Sequence, residues 1–292
     1  MMNVGIIGTG LLGSAVATRL LSTGHTVTVY NRTKEKAEPL KRLGASVVES
    51  PKKVSEKSDL VITIVKDASA VESIAFGSDG IIQGRHDGLV VADMSTINPV
   101  SSRKIAEKYA QYGIQMIDSP VMGGPSLAEK GQLVVMIGGE KTAYEKCKAV
   151  FDSIGEKTFY IGANGAADSM KLAMNLQIAI LALSISEGII LAKKSGLDPL
   201  LFLEVLNSTY FKTGMSLLKG PKMAKGVFEP SFFLSVMQKD LDEINYTAKE
   251  FGASLPVARL ANELYQNAVK EGFGKIDYTG IMAYLEKLKA TT

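Results

Sequence analysis

A chain of 292 residues exceeds the size at which one hydrophobic core keeps growing, so one large domain or two unequal ones are expected. With 46% hydrophobic and 22% charged residues and no Trp, the composition is that of an ordinary globular protein and argues against extensive disorder. A formal net charge of only +3, with Lys and Arg interspersed among Asp and Glu, lends little support to nucleic-acid binding, and the single Cys147 excludes an internal disulfide framework and fits a reducing compartment.

The first strand is expected at residues 3–7, which leaves no room for a signal or transit peptide ahead of it, so a cytoplasmic protein is expected. A glycine-rich turn follows, then a helix over 13–22, a strand over 26–30 and a helix over 34–43. Further strands are predicted over 60–64, 89–93, 115–118, 133–137 and 157–160, with a helix over 100–112 between two of them. Short β-branched runs alternating with amphipathic stretches are what βαβ units and a parallel sheet produce.

Beyond Asn164 the β-branched runs stop, and one helical pattern continues from 166 to about 195, where Gly196 ends it. Helical stretches are expected next at 199–206, 211–224, 234–251 and 255–271, with Gly226, Pro230, Gly252 and Pro256 marking turns. Within the long pattern, residues 176–192 are the most apolar, but they contain Gln177, Ser184, Ser186, Glu187 and Gly188. That stretch reads as a buried helix and not as a membrane span. The expected architecture is therefore α/β: a doubly wound, Rossmann-type parallel sheet over 1–163, then a smaller all-α domain over 164–292 that begins with a long interdomain helix and closes over the cleft.

Gly8-Thr9-Gly10-Leu11-Leu12-Gly13 is a GxGxxG that follows a strand and opens a helix, with a second strand close behind. In that setting it is the fingerprint of a dinucleotide site. Gly8 permits the tight turn, Gly10 lets backbone approach a pyrophosphate, and Gly13 allows the helix to pack on the sheet. At the end of the second strand, where an acidic residue would accept hydrogen bonds from the ribose of NAD, this chain has Asn31-Arg32-Thr33. Arg32 can form a charge-assisted fork with a 2′-phosphate while Asn31 and Thr33 donate neutral hydrogen bonds, so NADP is the expected cofactor. On the alternative reading Arg32 is a solvated residue at a strand end.

Four further segments become legible beside that fingerprint: Asp93-Met94-Ser95-Thr96, Asp118-Ser119-Pro120-Val121-Met122-Gly123-Gly124, Gly165 through Lys171 to Asn175, and Lys239-Asp240-Leu241. In this order and spacing the set resembles the β-hydroxyacid dehydrogenase family over nearly the whole chain. The resemblance implies that Lys171 is catalytic, with Asn175 one helical turn later on the same face. Reducing a carbonyl with hydride places negative charge on oxygen, which a positioned ammonium can stabilise and protonate; the reverse direction needs the same amine as base.

By the same resemblance, Ser95, Met122, Gly123, Gly124, Asn175 and Lys239 face a small carboxylate-bearing substrate. Val65, Lys66, Thr96, Lys239 and Asp240 accompany the glycine loop and Asn31, Arg32 and Thr33 on the cofactor. Without it, Lys171 reads as a snorkelling side chain on an apolar helix and Lys239-Asp240 as a solvated face. Gly123 and Gly124 would bring backbone N–H groups up to the substrate carboxylate. Met122 stands where the family commonly has Ser, which replaces a hydroxyl with a flexible apolar side chain and points to a pocket shaped for a less polar portion of substrate.

No metal-ligand spacing and no Gly-x-Ser-x-Gly turn is present, and His25 and His86 are expected at the surface, in turns. The reading is an NADP-dependent oxidoreductase interconverting an aldehyde acid of the glyoxylate, succinic semialdehyde or tartronate semialdehyde type and its hydroxy acid. Oxidation of a 3-hydroxy acid such as 3-hydroxyisobutyrate or L-serine is the alternative within the class. A non-catalytic nucleotide-binding scaffold and an imine reductase are the alternatives outside it. The family resemblance also implies a homodimer or homotetramer, while the charge and the polar residues within 176–192 give the expectation of no nucleic-acid or membrane partner.

Overall fold

The computed structural model describes residues 1–288, which form two compact units, Met1–Leu172 and the chain from Ala173 onward. In the first unit the strands are β1 (Asn3–Ile7), β2 (Thr26–Tyr30), β3 (Ser46–Val47), β4 (Leu60–Thr63), β5 (Val90–Asp93), β6 (Gln115–Asp118), β7 (Val121–Met122), β8 (Leu133–Gly139) and β9 (Gly155–Gly162). Among the described residues they make one sheet ordered β3-β2-β1-β4-β5-β6-β8-β7, with β9 also paired to β8. Helices α1 (Leu11–Ser22), α2 (Glu38–Arg42), α3 (Pro51–Ser55), α4 (Ala68–Phe76), α5 (Pro99–Ala110), α6 (Pro125–Lys130) and α7 (Lys141–Ile154) connect them.

Alternation along the strands sends side chains to two buried faces, as a parallel sheet covered on both sides requires. Val4, Ile6, Leu60, Ile62, Val90 and Ala92 join one core, while Ile7, Val61 and Val91 join the other with Ile105 and Tyr109 of α5. The sheet is not wholly parallel, however: β8 runs antiparallel to both β6 and β7. After Ser119-Pro120, β7 continues in the direction of β6, and the chain returns after α6 as β8, which pairs back along both.

The expected helix over 34–43 is broken into a 3₁₀ turn, Lys34–Lys36, and α2, because Pro39 cannot donate to the preceding turn. His25 is not at the surface: it is 9% exposed, its Nε2 lies 3.2 Å from Ser153 Oγ at the end of α7, and burial lowers its pKa. His86 is exposed, its ring nitrogens facing the carbonyls of Ser58 and Asp87. Cys147 is buried, and burial pushes its thiol up to about 12, which makes it a packing residue.

Helix α8 (Ala166–Lys194) starts in the first unit and continues into the second. The remaining helices are α9 (Pro199–Asn207), α10 (Gly214–Leu218), α11 (Gly220–Ala224), α12 (Leu234–Glu250), α13 (Pro256–Lys270) and α14 (Ile281–Leu285). The stretch expected as one helix over 211–224 is two, since Pro221 interrupts the hydrogen-bond ladder next to Gly220. The apolar part of α8 is less buried than its composition suggested. By length and composition it could cross a membrane, with a mean hydropathy of 1.7 over its most apolar window, but only 33% of that window is buried. Ala179, Ala182, Ile185, Ser186, Ile189 and Ala192 form one buried stripe at helical spacing, while Leu191 is 69% exposed. Ile185 and Ile189 pack on Leu203, Met223 and Met282.

Asp277 ties the loops of this unit together. Its Oδ2 accepts from Lys219 Nζ at 2.8 Å and from Ser231 N at 3.0 Å, and its Oδ1 accepts from Thr279 Oγ1 at 2.8 Å. Burial alone would raise its pKa, but these hydrogen bonds and the Lys219 charge hold it below the ordinary carboxylate range. Because the folded value lies below the unfolded one, this stabilisation is present at neutral pH and lost as pH falls through the folded value. Removing the carboxylate leaves the Ser231 N–H and Thr279 hydroxyl without their acceptor, so Asp277→Ala should lower the unfolding free energy by about 2 kcal/mol in denaturant melts. A loss below about 1 kcal/mol would mean that the carboxylate is not a tie.

Candidate active site

The glycine turn after β1 is built as its spacing demands. Gly8 has φ +102° and a Cβ there would lie 2.1 Å from Ile64 O, while a Cβ on Gly13 would lie 1.9 Å from Gly8 O. Neither position accepts a side chain. At Gly10, by contrast, a Cβ would meet nothing within 4 Å, so the space over the first turn of α1 is open. That opening, at a helix start whose first N–H groups have no helical partner, fits a dinucleotide phosphate. Leu11, exposed, and Leu12, half-buried, begin the helix.

Asn31 is engaged by the chain itself: its Oδ1 accepts from Thr9 N at 2.9 Å and its Nδ2 donates to Thr33 O at 2.8 Å. It latches the end of β2 to the glycine turn. Arg32 and Thr33 are exposed beside that latch, so a guanidinium is presented at the strand end.

Strands β4, β5 and β6 end in register, with Thr63, Asp93 and Asp118 side by side. Thr63 Oγ1 donates to Asp93 Oδ1 at 2.6 Å, and Ser95 N donates to the same oxygen at 3.2 Å. Burial pushes Asp93 up to about 6; the hydrogen bonds from Thr63 and Ser95 oppose the rise and the Asp118 charge adds to it. Ser95 is 2% exposed and its Oγ accepts from Val65 N at 2.9 Å. Ser95 thus clamps together the two loops that carry Val65, Lys66 and Thr96. Val65 and Thr96 are half-buried, and Lys66 is exposed with Asp67 3.8 Å away.

Asp118 grips the start of α8. Its Oδ1 accepts from Gly165 N at 3.0 Å and Asn164 Nδ2 at 3.2 Å, and its Oδ2 accepts from Ala167 N at 3.0 Å. Burial raises its pKa against the pull of these donors. One turn beyond Ala167 the half-buried Lys171 turns back onto the segment that follows Asp118: its Nζ donates to Val121 O at 2.8 Å and lies 3.4 Å from Met122 Sδ. Gly123, at φ +118°, and Gly124, which opens α6, continue that segment. Lys171, Met122 and the two glycines are thus neighbours within the first unit.

In the second unit, Asn175 and Lys239 meet through Asp240. Asn175 Nδ2 donates to Asp240 Oδ2 at 2.6 Å, and Lys239 Nζ lies 2.7 Å from Asp240 Oδ1. Asp240 is fully buried, so it serves as a link between two polar side chains. Thr63, Asp93 and Asp118 had no role of their own in the sequence reading; a polar residue at the end of a predicted strand was the available signal. Among the described residues no group of three or more His, Cys, Asp or Glu could hold a metal ion.

Two family models match the chain. One, described as the NAD binding domain of 6-phosphogluconate dehydrogenase, spans residues 3–162, and one described as NAD-binding of NADP-dependent 3-hydroxyisobutyrate dehydrogenase spans 165–285. Glyoxylate/succinic semialdehyde reductase 2, chloroplastic, of Arabidopsis thaliana is 35% identical, over 99% of this chain and 81% of that protein. The 2-hydroxy-3-oxopropionate reductase of Escherichia coli K12 is 30% identical, over 98% of this chain and 97% of its own. A solved structure, Psf3 in complex with NADP+ and 2-OPP, superposes with a TM-score of 0.90 at 25% identity, covering 97% of this chain and 99% of that one. A glycine turn open for a dinucleotide on an α/β unit, a helical unit after it, and both family models in sequence make this chain an oxidoreductase with an NAD(P)-binding domain and a member of the β-hydroxyacid dehydrogenase family.

Proposed function

We propose that this chain reduces a small carboxylate-bearing aldehyde to its hydroxy acid with NADPH, and that Lys171 gives the carbonyl oxygen its proton. The observation that carries the reading is the place of the Lys171 ammonium, 2.8 Å from Val121 O beside Met122 and next to Gly123 and Gly124. The nicotinamide, when bound, supplies the hydride. Lys171 Nζ stabilises the charge that develops on the carbonyl oxygen and protonates it, while backbone N–H groups of the glycine pair orient the substrate carboxylate. Arg32, exposed where a ribose-binding carboxylate would otherwise stand, supports NADP over NAD.

The names of the Arabidopsis and Escherichia coli relatives point to glyoxylate, succinic semialdehyde or tartronate semialdehyde as the substrate type, and cellular NADPH pools favour reduction. The description of the second family model favours another reading, oxidation of a 3-hydroxy acid such as 3-hydroxyisobutyrate or L-serine. Steady-state rates on both sets of compounds separate them: turnover of the aldehyde acids with NADPH is expected, and turnover of hydroxy acids alone would sink the proposal.

Met122 is the place to tune specificity. Replacing its thioether by a hydroxyl gives the pocket a donor for a hydroxylated substrate and removes apolar contact from an unsubstituted one. Met122→Ser should raise kcat/KM for tartronate semialdehyde relative to succinic semialdehyde by about tenfold. An unchanged ratio would show that Met122 does not face the substrate.

A further inference from the structure

We propose that Asp118 is a positioning residue for Lys171, fixing the first turn of α8 and with it the place of the ammonium; the proposal rests on the reading of Lys171 as proton donor. One short segment holds the helix at two points a turn apart. The Asp118 carboxylate takes the N–H groups of Gly165 and Ala167, and Val121 O, three residues further along, takes Lys171 Nζ. Ala167 and Lys171 are spaced four residues apart and so lie on the same face of α8.

The segment between those two points is itself held. Ser119 N donates to Asp93 O at 2.7 Å, and Met136 N donates to Pro120 O at 3.0 Å. A carboxylate at this helix start also faces the positive end of the dipole, where it is stabilised. Hydrogen bonds from the N–H of Gly165, just ahead of α8, and from the N–H of Ala167, in its first turn, leave that turn neither free to unwind nor free to rotate, so the Nζ of Lys171 returns to one place. An ordinary cap would stabilise the helix; this cap also sets where the proton donor sits.

Asp118→Asn keeps the volume but turns an NH₂ group toward donors the carboxylate accepted from, so it loosens one side of the grip. In the full chain with NADPH and succinic semialdehyde, kcat should fall by about 10²-fold, as a small misplacement of a reacting group costs. The Kd for NADPH should stay within about twofold, because the glycine turn and Arg32 are untouched. Amide hydrogen exchange over residues 164–172 should quicken. Gly138→Ala is the second variant: its Cβ would lie 2.2 Å from Asp118 Oδ2 and push the carboxylate aside without removing its charge. It should reproduce the loss in kcat.

The deciding measurement is the double variant. If Asp118 acts through Lys171, Asp118→Asn in the Lys171→Ala background is no slower than Lys171→Ala alone. Multiplying losses, or a native kcat in Asp118→Asn and Gly138→Ala while Lys171→Ala is slow, overturns the positioning role by itself. A Lys171→Ala variant as fast as the native chain overturns the proton-donor reading and the positioning role with it, and that pattern is distinct from the other two.

Discussion

Lys171→Ala is expected to lower kcat by about 10³-fold and to leave the Kd for NADPH unchanged, the size expected when a positioned proton donor is removed from carbonyl reduction. The argument is geometric. The ammonium is delivered from the first turns of α8 onto the segment that begins at Asp118, within 2.8 Å of a backbone carbonyl. The glycine turn between β1 and α1 is held by Asn31 and by its own close backbone approaches, so binding and chemistry should separate. Lys171→Arg sharpens the claim. Its guanidinium keeps the positive charge but does not release a proton, so it should be nearly as slow as alanine if proton transfer matters, and close to native if charge alone suffices. Rates from initial velocities with saturating NADPH and succinic semialdehyde check both variants.

Arg32→Asp is expected to invert the cofactor preference. The aspartate would repel a 2′-phosphate and accept from a ribose hydroxyl, so KM for NADPH should rise by about 10²-fold while KM for NADH falls. Parallel titrations of the two reduced cofactors measure the ratio. Asn31 makes a useful contrast. Its amide joins Thr9 N to Thr33 O, so Asn31→Ala should weaken both cofactors alike by loosening the turn they share. An Arg32→Asp variant that keeps its preference for NADPH would locate the 2′-phosphate elsewhere.

How much of this was legible in the sequence depends on whether the signal was local. Strands β1, β2 and β6 fall where the β-branched runs placed them, and the GxGxxG turn is built by clashes among neighbouring residues that its spacing already encodes. Strands β3 and β7, at two residues each, are too short for an alternating pattern. The antiparallel turn of β8 was invisible because alternation reports a strand and not its direction. His25 looked like a turn residue, and only the return of α7 buries it against Ser153.

The candidate site divides in the same way. Lys171 beside Met122 was reachable from motif order alone, through the family resemblance. That Ser95 clamps Val65, that Asp93 and Asp118 stand in register at the strand ends, and that Asp240 joins Asn175 to Lys239 required pairings between residues distant in sequence. Asp93 and Asp118 were quoted as parts of motifs without a physical role, since a carboxylate at a strand end acquires one only when the neighbouring strand and the following helix are in place.

The most direct test of the central claim is the rate at which the native chain consumes NADPH, and in parallel NADH, on mixing with glyoxylate, succinic semialdehyde and tartronate semialdehyde. Aldehyde-dependent loss of NADPH with at least one of the three, faster than the loss of NADH, is the predicted result. No consumption of either cofactor, together with reduction of NAD by 3-hydroxyisobutyrate or L-serine, would contradict it.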